Sequence, residues 1–251
     1  MCKGTSWALL THDENDALGR LQAVELLAKR KDKTTVEKLT QVLRNDPFYG
    51  VRIAASRALR GIATDATLAV LIDSVDQPNA KVRQQVIGDI ASQYKPAALG
   101  ALKQSLDSEK NPAIRARIIS GLTGHDDKQA RKLIDAALGS DSFRHQLADA
   151  AVSALRKQDR PANIAKIRNA LENNGAKFTT RGYASALGAL GHLGRNQKNK
   201  AKLREFLAGH VNDPKRRVAL GAINALGQLG DPRAVAVLEN CLLYTSDAAD
   251  E

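Results

Sequence analysis

The side chains in this sequence whose type and spacing most suggest a binding role are a series of evenly spaced arginines. Four of them recur at intervals of about thirty residues, at Arg20, Arg52, Arg83 and Arg115. Such a series could follow a phosphate backbone. It could also pair with acids or carbonyl groups of a neighbouring repeat while the side-chain stems pack. The structural interpretation is favoured, partly because the three equivalent positions farther along the chain hold Ala148, Tyr183 and Ala219.

The five histidines stand singly, at His12, His125, His145, His192 and His210. None forms the H-E-x-x-H pattern that places two zinc ligands on one helix face. No serine or cysteine lies in a G-x-S-x-G context, the usual setting of an activated nucleophile. We interpret the cluster His125–Asp126–Asp127 as solvated turn residues, and we assign no catalytic, cofactor-binding or metal-binding residue to this chain.

Two glycine-rich segments resemble phosphate-binding loops only superficially. They are GALGHLG (Gly188–Gly194) and GAINALGQLG (Gly221–Gly230). Neither follows a predicted strand, and their intervals fit neither the dinucleotide fingerprint nor the P-loop. Close helix packing and helix termination are the favoured explanation.

The formal charge of +11 raises nucleic acid or an acidic protein as a partner. The densest basic segments are Arg195–Arg204 and Lys215–Arg217. Aromatic residues make up only 4 % of the chain, which leaves no stacking platform for single strands. Nucleic acid is therefore disfavoured, while an acidic protein partner stays open.

The composition also bears on the cellular setting of the chain. No run of eighteen apolar residues predicts a membrane span. Two cysteines, Cys2 and Cys241, define no disulfide framework. This slightly favours a reducing compartment such as the cytoplasm, although the compartment is not fixed by the sequence.

Helical periodicity organises the whole chain, and the stretch Asp46–Gly61 shows it most clearly. Asp46 and Pro47 are predicted to open a helix, and an apolar stripe follows at spacings of three and four. An earlier helix carries Leu18 on its apolar face, and Thr34 or Thr35 is predicted to cap the next one. An apolar anchor then recurs every 31 to 36 residues, at Leu27, Leu59, Ile90, Leu122, Leu155, Leu190 and Leu226.

Each anchor ends an opening helix that is followed by a partner helix. The opening helices are predicted at Leu18–Lys29, Phe48–Ile62, Ala80–Ser92, Ala113–Leu122, Ser142–Lys157, Phe178–Leu193 and Lys215–Leu229. The partner helices are predicted at Val36–Asn45, Ala66–Val75, Ala97–Leu106, Lys128–Leu138, Asn163–Glu172, Lys198–Ala208 and Arg233–Leu242.

The recurring pattern D-P-x-x-x-V-R-x-x-A-x-x-A-L resembles HEAT repeats. The resemblance implies an all-α HEAT-repeat α-solenoid of about seven helix pairs, wound as a right-handed superhelix. On this interpretation residues 1–12 end a preceding region, and residues 13–240 form the solenoid.

The last eleven residues, Cys241–Glu251, break the repeat pattern. Their sequence, CLLYTSDAADE, equals the in-frame translation of a transposase-type sequencing adapter. We therefore predict that 241–251 are not native and that the natural chain continues beyond Asn240.

Two segments, Trp7–Arg30 and Leu39–Leu59, resemble the start of the C-terminal helical domain of zinc aminopeptidases of the aminopeptidase N type. Phe48, Tyr49 and Gly50 make this resemblance more specific, because a HEAT repeat does not demand them. In that family the H-E-x-x-H zinc site and the G-x-M-E-N loop lie upstream, and neither motif occurs here. The resemblance thus implies zinc and catalysis in a parent protein, and none in this chain.

The sequence supports one principal functional hypothesis and two alternatives. The principal one is a non-catalytic domain that supports and encloses the peptide-binding site of a zinc aminopeptidase, with the upstream catalytic domain and the parent's peptide substrate as partners. The first alternative is a free-standing HEAT scaffold that binds proteins. The second is a basic HEAT-like protein that binds nucleic acid.

Overall fold

The computed structural model describes residues 16–239, and within this range it contains α-helices, short 3₁₀ helices and no strand. The α-helices are α1 (Ala17–Leu27), α2 (Lys33–Asn45), α3 (Tyr49–Ile62), α4 (Asp65–Ile72), α5 (Ala80–Ala91), α6 (Pro96–Ser108), α7 (Pro112–Leu122), α8 (Lys128–Gly139), α9 (Gln146–Gln158), α10 (Ala162–Asn174), α11 (Thr180–Gly194), α12 (Ala201–Ala208) and α13 (Arg216–Leu229). The 3₁₀ helices are Phe143–His145, Gly175–Lys177 and Pro232–Ala234. The all-α prediction is confirmed.

The described chain divides into two compact units between His125 and Asp126. In the first unit the opening helices pack in series, α1 on α3, α3 on α5 and α5 on α7. In the second unit α9 packs on α11, and α11 packs on α13. Each unit therefore shows the stacking of successive opening helices that the repeat predicts.

The apolar anchors form the centre of each unit. Leu59, Ile90, Leu122 and Leu190 have no exposed surface, and Leu27, Leu155 and Leu226 are at most 3 % exposed. Burying a leucine or isoleucine side chain contributes about 1.5–3 kcal/mol. The repeat register read from the sequence is thus the register in which the core is packed.

Two predicted helix starts are wrong. Asp46 is the C-cap of α2, whose last helical residue is Asn45, and α3 begins only at Tyr49 with Phe48 as its N-cap. Pro47 accordingly lies outside the helix. Helix α2 is capped by Asp32, whose carboxylate accepts the Thr35 N–H at 2.9 Å, and not by Thr34 or Thr35. Asp32 starts the helix earlier because it supplies the acceptor that the free N–H groups need.

The apolar face predicted for α1 is also partly wrong. Leu18 is 66 % exposed, whereas Arg20, Ala23, Val24 and Leu27 are buried. The face includes a charged side chain because Arg20 has a buried acidic partner, as described below. Periodicity of apolar residues alone does not reveal such a partner.

Some predictions lie outside the described residues. These concern residues 1–12, His12, the two cysteines and the adapter-like segment 241–251, and they stay predictions. The single solenoid over residues 13–240 also stays a prediction. Within residues 16–239, no helix is both long enough and apolar enough to cross a bilayer.

Candidate functional site

The first arginine of the series forms a buried ion pair. Arg20 Nε on α1 lies 2.8 Å from Asp46 Oδ2, and both side chains are 6 % exposed. Asp46 Oδ1 also accepts the backbone N–H of Phe48 at 2.9 Å. The pair therefore fixes the entry to α3 against α1.

Arg83 on α5 repeats this arrangement two repeats after Arg20. Its Nε lies 2.9 Å from Glu109 Oε2, and its Nη1 donates to the carbonyls of Gln77 and Pro78. Burial alone would raise the pKa of Glu109, but the hydrogen bonds from Arg83 and from the backbone N–H groups of Asn111 and Lys110, together with the charge of Arg83, outweigh it, and the pKa is lowered. The structural interpretation is thus confirmed for Arg20 and Arg83.

The other members of the series differ from this pattern. The Nε atoms of Arg52 and Arg115 are shielded from solvent and have no hydrogen-bond partner within residues 16–239. In α11 the equivalent position holds Tyr183, whose hydroxyl lies 2.8 Å from His210 Nε2. Because His210 Nδ1 lies 2.9 Å from the Phe206 carbonyl, it donates there, and Nε2 accepts the tyrosine O–H.

The interpretation of His125 as a solvated turn residue is wrong, because its side chain is buried. His145 is also buried, at 2 % exposed, and packs edge-on against Phe178 at a ring distance of 4.4 Å. Burial lowers the pKa of His145. Within the described residues no three His, Cys, Asp or Glu side chains are grouped so that they could hold a metal ion.

The glycine segments serve helix packing and helix termination, as predicted. A Cβ at Gly191 would lie 2.8 Å from backbone atoms of Ala225 on α13, and one at Gly221 would lie 2.8 Å from the Ala184 side chain. Gly230 ends α13 in the left-handed region, with φ of 59°. Glycine occupies that region at no steric cost.

Much of the basic segment Arg195–Arg204 is engaged within the second unit. Arg195 donates to Asp159 at 2.9 Å, and Arg204 pairs with Asp231 at 2.6 Å. Lys200 Nζ donates at 2.7 Å to the Leu229 carbonyl at the end of α13. These cations stabilise helix ends and neighbouring loops, which leaves fewer of them for phosphate contacts.

Phe48 and Tyr49, which a generic HEAT repeat does not demand, form an aromatic projection at the start of α3. Phe48 is 39 % exposed, and its ring centroid lies 4.9 Å from that of Tyr49. A Cβ at Gly50 would come within 2.5 Å of the Phe48 ring. Gly50 therefore allows the Phe48 ring to lie against the first turn of α3.

A polar cleft lies between α9 and α11 in the second unit. Its volume is about 240 Å³, and it is lined by Asp149, Val152, Ser153, Arg156, Arg181, Gly182, Ser185 and Ala189. Asp149 Oδ1 is shielded from solvent and has no hydrogen-bond partner within residues 16–239. Burial raises the pKa of Asp149 from 3.8 to about 6, against the opposing effect of Arg181.

Asp89, a second buried aspartate, differs from Asp149 in its hydrogen bonds. Asp89 on α5 has no exposed surface, yet it accepts hydrogen bonds from Ser56 at 2.6 Å and from Gln85 at 2.9 Å. Arg60 lies 3.6 Å from it. Burial raises the pKa of Asp89 too, but its oxygens are satisfied within the fold. Asp149 Oδ1 is not, which marks the α9–α11 cleft as the candidate site.

Asp149→Asn is expected to stabilise the protein at pH 8 and to leave stability nearly unchanged at pH 4. Because the pKa is raised in the folded state, the wild-type carboxyl favours folding while protonated, and this contribution is lost as pH rises from about 4 through about 6. After a discount for solvent screening we expect a gain of about 1 kcal/mol at pH 8. Urea unfolding of both proteins at the two pH values measures it. An equal difference at both values would contradict the assignment.

Comparison with known proteins identifies the repeat but not an activity. A family model described as HEAT repeats matches residues 7–91 and 180–250, which together exceed half of the chain. No protein of curated function matches the sequence. Among solved structures, human deoxyhypusine hydroxylase in complex with glycerol is similar at 14 % identity and a TM-score of 0.38, over 86 % of this chain and 90 % of that one. A likeness at this level carries no argument about function. On the family match, this all-α chain belongs to the HEAT-repeat family, with the α-solenoid class of fold.

Proposed function

We propose that this chain is a non-catalytic HEAT-repeat domain that supports and encloses the peptide-binding site of a zinc aminopeptidase. The observation that carries the proposal is the way two sequence segments meet. Arg20 belongs to the first segment that resembles the aminopeptidase domain, and Asp46 belongs to the second. Their ion pair of 2.8 Å gives the two segments one shared structural role.

The projection formed by Phe48 and Tyr49 is the second support for this proposal. The repeat core buries its apolar anchors, whereas Phe48 remains 39 % exposed. An exposed aromatic ring at a helix start is suited to contact a neighbouring domain, since it offers apolar area at low entropic cost. Lys81 Nζ lies 4.9 Å from the Tyr49 ring centroid and helps to hold that ring.

A free-standing HEAT scaffold that binds another protein is the second candidate function, because the same aromatic projection could serve an unrelated partner. Nucleic-acid binding has weaker support, since Arg195, Lys200 and Arg204 are engaged within the fold. Salt-dependent binding of the purified chain to duplex DNA would revive that hypothesis.

The non-catalytic part of the proposal is tested with the purified chain. Incubated with zinc and leucine p-nitroanilide, it is expected to release no more nitroaniline than buffer does, because we find no zinc-binding motif in its sequence. Hydrolysis that a chelator abolishes, and that copurifies with the chain, would contradict the proposal. The aminopeptidase parent is tested separately, through the DNA upstream of the codon for Met1.

A further inference from the structure

We infer that a second cavity of the second unit binds the guanidinium group of an arginine side chain, with the carboxylate of Asp213 as its acceptor. The cavity has a volume of about 360 Å³ and lies between the end of α10, the start of α11 and the turn before α13. The inference goes beyond the proposed function, because it needs no parent enzyme and uses side chains of the second unit alone.

Three turns, each directly before an opening helix, place a carboxylate in the same way. In each turn one carboxylate oxygen accepts the backbone N–H two residues later: Asp46 from Phe48 at 2.9 Å, Glu109 from Asn111 at 2.8 Å, and Asp213 from Lys215 at 2.8 Å. The other oxygen of each carboxylate is left for a further donor. The three turns are therefore equivalent acceptor sites.

In the first unit an arginine of the preceding repeat supplies that further donor. Arg20 Nε lies 2.8 Å from the second oxygen of Asp46, and Arg83 Nε lies 2.9 Å from that of Glu109. Both arginines stand seven residues before their anchor. In the second unit Tyr183 holds this position on α11 and carries no positive charge. The second unit thus has the acceptor turn without the guanidinium group.

The carboxylate of Asp213 is accessible and lacks a cation. The residue is half-buried and lines the cavity, so a ligand that enters the cavity reaches it. Apart from the bond from the Lys215 N–H, its side chain makes no hydrogen bond and no ion pair within residues 16–239. A guanidinium group donates two parallel hydrogen bonds to a carboxylate, and an ammonium group does not match this geometry.

The other walls of the cavity suit the rest of an arginine side chain. Glu172 on α10 adds a second carboxylate, one oxygen of which lies 2.8 Å from Arg168 Nε. Phe178 and Val218 supply apolar surface on the opposite elements. The methylene stem of an arginine packs on such surface while its charged end meets the carboxylates.

Charges of both signs surround the cavity. Burial, Asp213 and Glu172 all raise the pKa of Tyr183, which shows that the field of both carboxylates reaches this wall. Lys215 also lines the cavity, but it is exposed and forms no ion pair within residues 16–239. Its ammonium group therefore repels a cationic ligand without neutralising Asp213, and its removal should strengthen binding.

The test is a titration of the isotopically labelled chain with N-acetyl-arginine methylamide, followed by the NMR shifts of its backbone amides. We expect saturable shifts at residues 172–183 and 213–218, with a Kd of about 1 mM. N-acetyl-citrulline methylamide has nearly the same shape without the charge, and it is expected to bind at least tenfold more weakly. N-acetyl-lysine methylamide should also bind more weakly, because it cannot form the bidentate contact.

Free arginine distinguishes the two sources of a guanidinium group. Binding tighter than that of the blocked form would identify the amino acid as the ligand. Weaker binding would identify an arginine within a polypeptide. Either result supports a guanidinium site.

Two substitutions at the site should act in opposite directions. Asp213→Asn is expected to weaken binding of N-acetyl-arginine methylamide at least tenfold, whereas Lys215→Gln should strengthen it about threefold. Asp73→Asn is the matched control, because it removes the same charge from an exposed pair in the first unit and should bind like the wild type. Tyr183→Arg should abolish binding, since its own guanidinium group then occupies Asp213.

Four outcomes would overturn the inference. They are no saturable shift with N-acetyl-arginine methylamide, equal binding of the citrulline compound, equal effects of Asp213→Asn and Asp73→Asn, and unchanged binding by a folded Tyr183→Arg variant.

Discussion

Asp46→Ala is expected to lower the free energy of unfolding by about 3–5 kcal/mol, the cost of removing one partner of a buried ion pair. The substitution takes away the carboxylate that lies 2.8 Å from Arg20 Nε and leaves that guanidinium group in a site 5 % exposed. It also removes the acceptor of the Phe48 N–H, so the entry to α3 loses its anchor.

Urea unfolding monitored by circular dichroism measures this loss as a shift in the transition midpoint. Asp73→Ala is the matched control. Asp73 lies 4.0 Å from Arg44, with side chains 67 % and 51 % exposed, and such a pair contributes at most about 1 kcal/mol. Equal, small losses in the two variants would show that the Arg20–Asp46 pair does not hold α1 and α3 together.

Gly191→Ala is expected to destabilise the protein by about 1–3 kcal/mol, although alanine is the better helix former. The added methyl group would lie 2.8 Å from the Cα and carbonyl carbon of Ala225. Backbone atoms cannot move aside by changing rotamer, as a side chain can. Helix α11 and helix α13 would therefore have to separate. Because both helices contribute fully buried residues to the second unit, the strain reaches its core.

Gly188→Ala in the same helix provides the control for this effect. No atom lies within 4 Å of a Cβ at Gly188, so only the helix propensity changes, and a gain of about 0.5–1 kcal/mol is expected. Thermal unfolding of the two variants should shift in opposite directions. A shift of the same sign in both would mean that the close approach of α11 to α13 does not limit stability.

The helices and the core were predictable because the same pattern of apolar residues recurs in every repeat. Seven anchors in one register define where each opening helix packs, and the structure buries all seven. The local starts of helices were less predictable. Aspartate is a common N-cap residue, but the carboxylate of Asp46 forms an ion pair with Arg20, twenty-six residues earlier. The spacing of residues within a helix does not reveal a contact between side chains so far apart in the sequence.

The candidate cleft was missed for a related reason, since an aspartate in a helix normally indicates a solvated face. One signal was present: Asp149 lies six residues before its anchor, where the other repeats have uncharged residues, namely Leu21, Ile53, Gln84, Ala116, Ala184 and Leu220. Its neighbour Gly182 on α11 could be found only from the packing of the helices.

The DNA sequence upstream of the codon for Met1 tests the central claim most directly, namely that this HEAT-repeat chain is the supporting domain of a zinc aminopeptidase. The account predicts an open reading frame that continues upstream and encodes H-E-x-x-H, with a downstream glutamate ligand, a few hundred residues before Met1. An in-frame stop codon followed by a ribosome-binding site directly before Met1 would contradict it, and the free-standing scaffold would then replace it.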